Sequence, residues 1–293
     1  MGCGCPANSN IVNYESIRRV TNTHKGIIEG NRFLFPVPKP SPFLTQKHAQ
    51  LLYIPLIDRN IPTFLFTNDK ATQLIFYLHG NCEDIGHIYN FLLYLSSKLT
   101  INILAVEFPG YGVYKSRKAS AALIERDCKE AMHYVIDRLK VPLKKIIVMG
   151  RSIGTGPASS LAREFGVLCL ILVSPFSSIR EACKSLVGTL GYYLVKQSWD
   201  IETAMKSIDV PTLIIHGKQD DIIPYQQSVA ISKVFMNPKS ELRLFEGMQH
   251  NYMNFEEHIR KPVGSFLLKV GECGGYLNID RDDFQRPTDG TVE

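Results

Sequence analysis

The stretch that decides the fold runs from Lys145 to Leu161 and reads Lys-Ile-Ile-Val-Met-Gly-Arg-Ser-Ile-Gly-Thr-Gly-Pro-Ala-Ser-Ser-Leu. Its start is apolar and β-branched, which is typical of a buried strand, and the residues after Gly154 favour a helix. Between them lies the pattern G-x-S-x-G, in which a serine occupies a strained strand-to-helix turn. The pattern needs glycines on both sides because a Cβ there would collide with the neighbouring strand and helix. The stretch therefore predicts a strand, a presented Ser152 and a helix; a glycine- and serine-rich turn without chemistry is the alternative.

Apolar runs of strand length alternate with helical stretches on both sides of this segment. The predicted strands lie at 50–57, 61–67, 73–79, 102–107, 145–150, 168–173, 211–216 and 241–246. The predicted helices lie near 86–99, 119–140, 153–165, 177–206, 224–236 and 252–270. This alternation indicates an α/β fold with a mostly parallel sheet of about eight strands and helices on both faces. The first two runs form an antiparallel hairpin at its edge, and the short stretch between 168–173 and 211–216 leaves no room for a large cap domain.

Length and composition are those of an ordinary folded chain. The chain has 293 residues, of which 45% are hydrophobic and 21% charged, and no apolar run approaches the roughly 18 residues of a membrane span. We expect three parts: an N-terminal leader at 1–42, an α/β domain at 43–270 and an acidic C-terminal tail at 271–293. The seven cysteines form no C-x-x-C pair, so neither a metal nor another cofactor is predicted.

Charge is distributed unevenly along the chain. The net charge is +5, and residues 1–50 hold six Lys or Arg against two Glu. A modestly basic front suits an anionic membrane surface. The sequence lacks the clustered basic stripe with aromatic residues that nucleic-acid binding needs, so no nucleic-acid partner is predicted.

Three candidate catalytic residues follow three different predicted strands. Chemistry in such a sheet is expected on the loops at the carboxyl ends of the strands. Ser152 follows the strand at 145–150, Asp220 and Asp221 follow 211–216, and His250 follows 241–246. Of the two aspartates we favour Asp220, because Asp221 could cap the next helix. His250 alone would more often be a surface histidine, but the order Ser, Asp, His completes a possible nucleophile, acid and base set.

Two backbone amides are candidates for an oxyanion hole. Ile153 directly follows the predicted nucleophile, and Asn81 follows the strand that ends in His79-Gly80. One N–H from each position would converge on the oxyanion. His79 and His216 stand at strand ends, where a histidine more often braces a loop by hydrogen bonding.

Taken together, these motifs resemble the α/β-hydrolase superfamily over about residues 45–268. The matching segments are His79-Gly-Asn81, Phe108-Pro-Gly-Tyr-Gly112, Gly150-Arg-Ser-Ile-Gly154, Ser174-Pro-Phe176, His216-Gly-Lys-Gln-Asp220 and Gly247-Met-Gln-His250-Asn251. The chain most resembles the alpha/beta-hydrolase domain-containing protein 17 group, membrane-bound depalmitoylases that cleave S-acyl thioesters on proteins. The resemblance implies a serine hydrolase that takes an acylated protein or a lipid ester. The alternatives are a monoacylglycerol or lysophospholipid esterase, and a non-catalytic hydrolase-fold scaffold recruited to membranes.

The N-terminus carries candidate lipidation sites. Gly2 after removal of Met1 is a site for myristoylation, and Cys3 and Cys5 invite palmitoylation. We expect peripheral attachment to the cytoplasmic face of membranes, since two lipid signals anchor stably where one does not. Pro6 stands where Ser or Thr is expected, so palmitoylation alone and an unmodified terminus are alternatives.

Overall fold

A computed structural model describes residues 35, 37, 40–41, 51–115, 118–189, 198–271 and 274–286. Within these residues one sheet contains the strands β1 (Leu52–Pro55), β2 (Asn60–Phe66), β3 (Leu74–Leu78), β4 (Asn102–Val106), β5 (Ile146–Arg151), β6 (Cys169–Val173), β7 (Thr212–Gly217) and β8 (Glu241–Phe245). Their order across the sheet is β1-β2-β4-β3-β5-β6-β7-β8. β1 and β2 run antiparallel, and β3 to β8 are parallel. The predicted α/β fold and its antiparallel edge are confirmed.

The helices of the described residues cover both faces of this sheet. They are α1 (Tyr89–Leu99), α2 (Ala121–Asp137), α3 (Thr155–Glu164), α4 (Ile179–Val187), α5 (Ile201–Met205), α6 (Gln226–Ser232) and α7 (Lys261–Val270). Apolar side chains of α2 to α6 share one core cluster, and those of α1 and α7 share another. No described helix is both long and apolar enough to cross a membrane.

Alternation along the strands supplies both clusters. In β3, Leu74, Phe76 and Leu78 join the first cluster, whereas Ile75 and Tyr77 join the second. All five residues are buried, as expected for a strand that lies between two layers of helices. The central strands therefore hold the carboxyl edge of the sheet rigidly, and this edge carries the site.

Two predicted helical stretches are divided in the structure. The stretch at 177–206 contains α4 and α5. Their N-caps are Ser178 and Asp200, whose side chains each accept a backbone N–H group of the helix that follows. Residues 190–197 lie outside the described part. The stretch at 252–270 begins with a π-helical turn at Phe255–Arg260, before α7. Pro262 lacks an N–H, so it cannot continue the preceding ladder of hydrogen bonds.

Part of the predicted acidic tail packs against the first strand. Tyr53 and Gln285 exchange backbone hydrogen bonds of 2.8 and 3.0 Å, and Ile279 and Phe284 are buried. Residues 274–286 therefore lie on the sheet. The division at 1–42, 43–270 and 271–293 stays a prediction.

Candidate active site

Ser152 stands at the turn between β5 and α3. Its φ of +50° is in the left-handed region, and it begins a short 3₁₀ turn, Ser152–Gly154, that continues into α3. A Cβ on Gly150 would come 2.4 Å from the carbonyl oxygen of Gly154, and one on Gly154 would come 2.3 Å from that of Leu78. Neither contact is sterically possible, so both glycines are required for this turn. The side chain of Ser152 is buried at the carboxyl edge of the sheet.

The structure brings the three predicted catalytic residues together. The Nε2 atom of His250 lies 2.9 Å from the Ser152 hydroxyl, and its Nδ1 atom lies 2.7 Å from Oδ2 of Asp220. Since an ionised carboxylate can only accept, Nδ1 donates to Asp220 and Nε2 is left to accept the Ser152 proton. This is the arrangement of a nucleophile, a general base and an orienting carboxylate.

Asp220 is held on both of its oxygens. Oδ1 accepts the backbone N–H groups of Ile222 and Ile223 at 3.0 and 2.7 Å, and Oδ2 faces both His250 and His216, the latter at 3.1 Å. Burial opposes ionisation of this carboxyl, but hydrogen bonds from His216 and His250 outweigh it and hold the pKa of Asp220 well below its usual range. Asp220 is therefore a carboxylate at neutral pH.

The prediction that Asp221 could cap the next helix is wrong. Asp221 is exposed, and α6 begins only at Gln226, with Tyr225 as the preceding residue. Asp221 therefore does not cap that helix. Asp220 faces the imidazoles because its loop makes a tight turn, in which Oδ1 of Asp220 accepts the backbone N–H groups of Ile222 and Ile223.

The two residues predicted for the oxyanion hole lie in two different turns, one after β5 and one after β3. Ile153 follows Ser152 in the 3₁₀ turn, where the first amides of a helical turn have no acceptor within that turn. Asn81 follows β3, and its side-chain oxygen accepts a hydrogen bond from the Tyr111 hydroxyl. That contact fixes the loop that carries the Asn81 amide. The oxyanion role of both amides stays a prediction.

His79 braces the loop after β3, as its position at a strand end predicts. The imidazole is fully buried, its Nδ1 lies 2.8 Å from the Gly80 carbonyl and its Nε2 lies 2.8 Å from Glu107. Burial opposes a charge on this ring, but the Glu107 carboxylate outweighs it and raises the pKa of His79. Glu107 also accepts the backbone N–H of Ile85 at 3.2 Å. The pair therefore ties β3, β4 and the loop before α1 together.

Sequence reasoning missed two residues at this site. His216, predicted only to brace its loop, contacts the carboxylate that orients His250. Arg151, the variable residue of G-x-S-x-G, binds Glu83 and the loop of His250. The signal for His216 is its place at the end of β7, and no signal for Arg151 exists, since the motif admits any residue there.

The remaining predictions concern metals and lipidation. The described residues contain no group of three or more His, Cys, Asp or Glu that could hold a metal ion. Gly2, Cys3 and Cys5 lie outside the described residues. Their modification stays a prediction.

Comparison with known proteins gives matches over the domain that carries this site. A family model described as serine aminopeptidase, S33, matches residues 183–257, which include Asp220 and His250. The Xenopus tropicalis protein named alpha/beta hydrolase domain-containing protein 17B is 30% identical over 212 residues, which are 71% of this chain and 72% of that protein. The Homo sapiens protein of the same name is 28% identical over 212 residues, again 71% of this chain and 72% of that protein.

A solved structure supports the same fold. An esterase of Pyrococcus furiosus superposes with a TM-score of 0.65 at 19% identity, covering 81% of this chain and 99% of the esterase. At this identity the likeness concerns the fold alone. The overall fold of this chain is thus similar to that of the esterase.

Proposed function

Since the chain belongs to the α/β-hydrolase family that contains alpha/beta hydrolase domain-containing protein 17, we propose that it is a serine hydrolase of acyl thioesters and esters. Its most specific proposed activity is that of an S-acyl-protein thioesterase, a protein depalmitoylase, at a membrane surface. The coarser part, a hydrolase, is what the relatives share by name.

One observation carries the proposal: His250 lies between Ser152 and Asp220 at hydrogen-bonding distance from each. The three residues come from loops after β5, β7 and β8, remote in the sequence. In nucleophilic catalysis a buried serine, histidine and carboxylate at these distances act as nucleophile, general base and orienting group. The positive φ of Ser152 is strained for a residue with a Cβ, and it is the conformation expected of a nucleophile at a strand-to-helix turn.

In the proposed reaction the Ser152 oxygen attacks the carbonyl carbon of the thioester while His250 takes the hydroxyl proton. The tetrahedral intermediate then breaks its C–S bond, and the cysteine sulfur leaves with the proton from His250. A water molecule next attacks the acyl-serine ester while His250 takes one of its protons. The fatty acid leaves, and Ser152 recovers its proton from His250.

The other residues stabilise charge during these steps. Asp220 keeps the His250 proton on Nδ1 and stabilises the imidazolium that forms. The amides of Ile153 and Asn81 are proposed to bind the oxyanion, where losing one such donor typically lowers the rate by about 10²- to 10³-fold.

The surroundings of the site support a substrate presented at a membrane. Tyr252 and Phe255 lie two and five residues after His250 in the chain and expose 73% and 45% of their surfaces. Phe255 packs on Phe91 of α1, with 4.6 Å between the ring centroids, and Leu93 of the same helix is also exposed. A group of exposed apolar side chains on a loop and on the helix that it packs against is typical of a surface for lipid or protein contact. The proposed lipidation of Gly2, Cys3 and Cys5 would hold this edge near acyl chains.

Labelling with a fluorophosphonate probe tests the proposed chemistry. We expect the wild type to be labelled and Ser152→Ala to be unlabelled and inactive, with hydrolysis lowered by about 10⁴-fold or more. Ser160→Ala, which alters a half-buried serine of α3, is the matched control and should label like wild type. Equal labelling of Ser152→Ala would overturn the proposal, and no labelling of a folded wild type would favour a non-catalytic scaffold.

Substrate competition tests the finer proposal. A palmitoyl-cysteine peptide and a monoacylglycerol are compared by kcat/KM in the same vesicles. We expect the thioester to be the better substrate by at least tenfold. The reverse order would make the protein a glycerolipid esterase.

The membrane part is tested separately from the chemistry. A variant with Gly2→Ala, Cys3→Ser and Cys5→Ser should leave the membrane fraction of expressing cells, and should keep its activity on a soluble ester. If that variant still sediments with membranes, lipid anchoring through these residues is excluded.

A further inference from the structure

Arg151 is the last residue of β5 and directly precedes Ser152. Its side chain is 13% exposed and contacts two other loops of the site. Nη1 donates to Oε2 of Glu83 at 2.9 Å, and Nη2 donates both to the backbone carbonyl of His250 and to the Asn251 side chain, each at 2.8 Å. One guanidinium therefore binds the loop after β3 and the loop after β8.

Glu83 extends this connection to the predicted oxyanion loop. Its other carboxylate oxygen accepts the backbone N–H of Gly80, the neighbour of Asn81. The guanidinium lies against that backbone, because a Cβ on Gly80 would come 2.7 Å from Nη1 of Arg151. The position of the Asn81 amide thus depends on Arg151 through Glu83 and Gly80.

The contacts require the shape of arginine as well as its charge. A guanidinium is a planar fork with five donors, so it can bind a carboxylate on one side and two oxygens on another. A lysine ammonium is a point charge on a flexible stem, and it would not hold both loops at these distances. Removing one partner of a partly buried ion pair leaves the other charge unpaired, so the groups that the pair joins lose their fixed geometry.

We propose that Arg151 is a positioning residue, which holds the His250 loop and the oxyanion loop in register around Ser152. The inference rests on the proposed hydrolase function, and it goes beyond that function in assigning a role to the variable position of the motif. Arg151 acts through Glu83, Gly80 and the His250 carbonyl, and does not itself touch the reacting atoms.

Removing the side chain should slow the chemical step without weakening binding of a small substrate. We expect Arg151→Ala to lower kcat for a soluble p-nitrophenyl ester by about 10- to 100-fold, because displacement of catalytic groups by about 1 Å has effects of this size. KM should stay within twofold of wild type. Arg151→Lys should recover only part of the loss, and Glu83→Gln should lower kcat several-fold.

The experiment measures kcat per active site, titrated with the fluorophosphonate probe, together with KM and Tm. Arg59→Ala is the matched control, because the Arg59 side chain is 7% exposed and pairs with Asp127 at 2.8 Å and with Glu130, away from this site. We expect Arg59→Ala to lower Tm with kcat per titrated site unchanged. Because titration counts only folded enzyme, a loss of folding alone does not imitate a loss of positioning.

Two results would overturn the inference: an Arg151→Ala kcat per titrated site within twofold of wild type, or an equal fall in Arg59→Ala. Should Arg151→Ala not fold, wild-type kcat values in both Arg151→Lys and Glu83→Gln would overturn it in the same way. Failure of the proposed function would give a different result: either Ser152→Ala would label and hydrolyse like wild type, or a folded wild type would not be labelled at all.

Discussion

The His216 imidazole lies 3.1 Å from the same Asp220 oxygen that faces His250. Its Nε2 atom is also 2.9 Å from the Ile223 carbonyl, while its Nδ1 atom is 2.6 Å from the hydroxyl of Ser228. Because both neighbours of Nε2 are acceptors, that nitrogen donates and the Ser228 hydroxyl donates to Nδ1. Asp220 is thereby fixed by two imidazoles and two backbone amides before any substrate binds.

The charge on Asp220 should be required for catalysis. Asp220→Asn keeps the size of the side chain but no longer stabilises an imidazolium or the required tautomer, so we expect kcat to fall by about 10³- to 10⁴-fold. Asp221→Asn, at the exposed neighbouring position, should stay within twofold of wild type. Ester hydrolysis by the two variants distinguishes the aspartates, and a larger loss in Asp221→Asn would reverse the assignment.

The lowered pKa of Asp220 also gives a dependence of stability on pH. A carboxyl with a pKa below its unfolded value of about 3.9 stabilises the fold above that pH, and this stabilisation is lost as the pH falls further. The Tm of wild type should therefore exceed that of Asp220→Asn at pH 7, and the difference should shrink below about pH 4.

His216 should contribute to catalysis through Asp220. His216→Leu removes the hydrogen bond to the carboxylate and leaves Ser228 and the Ile223 carbonyl without this partner, so we expect about 1–3 kcal/mol lower stability. We also expect kcat per titrated site to fall by about 10- to 30-fold, which corresponds to about 1.4–2 kcal/mol, the order of a lost hydrogen bond to a charged group. His216→Gln retains an N–H donor and should be less impaired. Equal kcat values for wild type and His216→Leu would restrict His216 to a structural role.

The turn at Ser152 makes a prediction about folding. A Cβ at position 154 would meet the carbonyl oxygens of Leu78 and His79 at 2.3 and 2.5 Å, and both are backbone atoms that cannot move aside. We expect Gly154→Ala to lower the free energy of unfolding by about 3 kcal/mol or to abolish soluble expression. At Gly166 a Cβ would meet only the end of the Lys144 side chain, at 4.0 Å, so Gly166→Ala should change stability by less than about 1 kcal/mol. Urea denaturation of both variants provides the measurement, and similar stabilities would contradict the packing argument.

Much of this fold could be predicted because its signals are local. Each central strand is a short apolar run. Gly150 and Gly154 are visible in the sequence because the turn has no space for a Cβ at either position. That Ser152, Asp220 and His250 lie close together could also be predicted from the sequence. In a parallel sheet the carboxyl ends of β5, β7 and β8 share one edge, so residues that follow these strands come near each other.

The parts that could not be predicted depend on side-chain directions and on contacts between remote segments. Arg151 reaches Glu83 and His250 across sequence separations of 68 and 99 residues, and nothing near Arg151 in the sequence indicates either partner. Asp220 is the aspartate that faces His250, whereas Asp221 does not cap α6 as its position in the sequence suggests. The path of the loop from Lys218 to Ile223 is set by two amides on Asp220, which no residue pattern encodes.

Cys82 should be unreactive despite its place in the loop after β3, next to Asn81. Burial, and then the negative charge of Glu83, raise the pKa of Cys82 to about 11. Only the thiolate reacts with iodoacetamide, so at pH 7.5 we expect alkylation about 300-fold slower than for a free cysteine, whose pKa is about 8.5. Mass spectrometry of the Cys82 peptide between pH 7 and 10 gives the rate, with guanidinium-unfolded protein as the control. Equal rates in folded and unfolded protein at pH 7.5 would contradict the effect of burial.

The exposed aromatic residues beside His250 should matter only for substrates held in a membrane. Tyrosine and phenylalanine partition favourably into the interfacial region of a bilayer, so replacing Tyr252 and Phe255 by Ser should weaken vesicle binding. We expect hydrolysis of a palmitoylated peptide in vesicles to fall about 5- to 20-fold, as the loss of about 1–2 kcal/mol of apolar contact implies. The rate on a soluble short-chain ester should stay within twofold of wild type. Tyr276→Ser is the matched control, since Tyr276 is exposed to the same 73% as Tyr252 but lies in the segment 274–286. An equal loss in Tyr276→Ser, or unchanged vesicle hydrolysis in the double variant, would exclude this surface as the membrane-facing one.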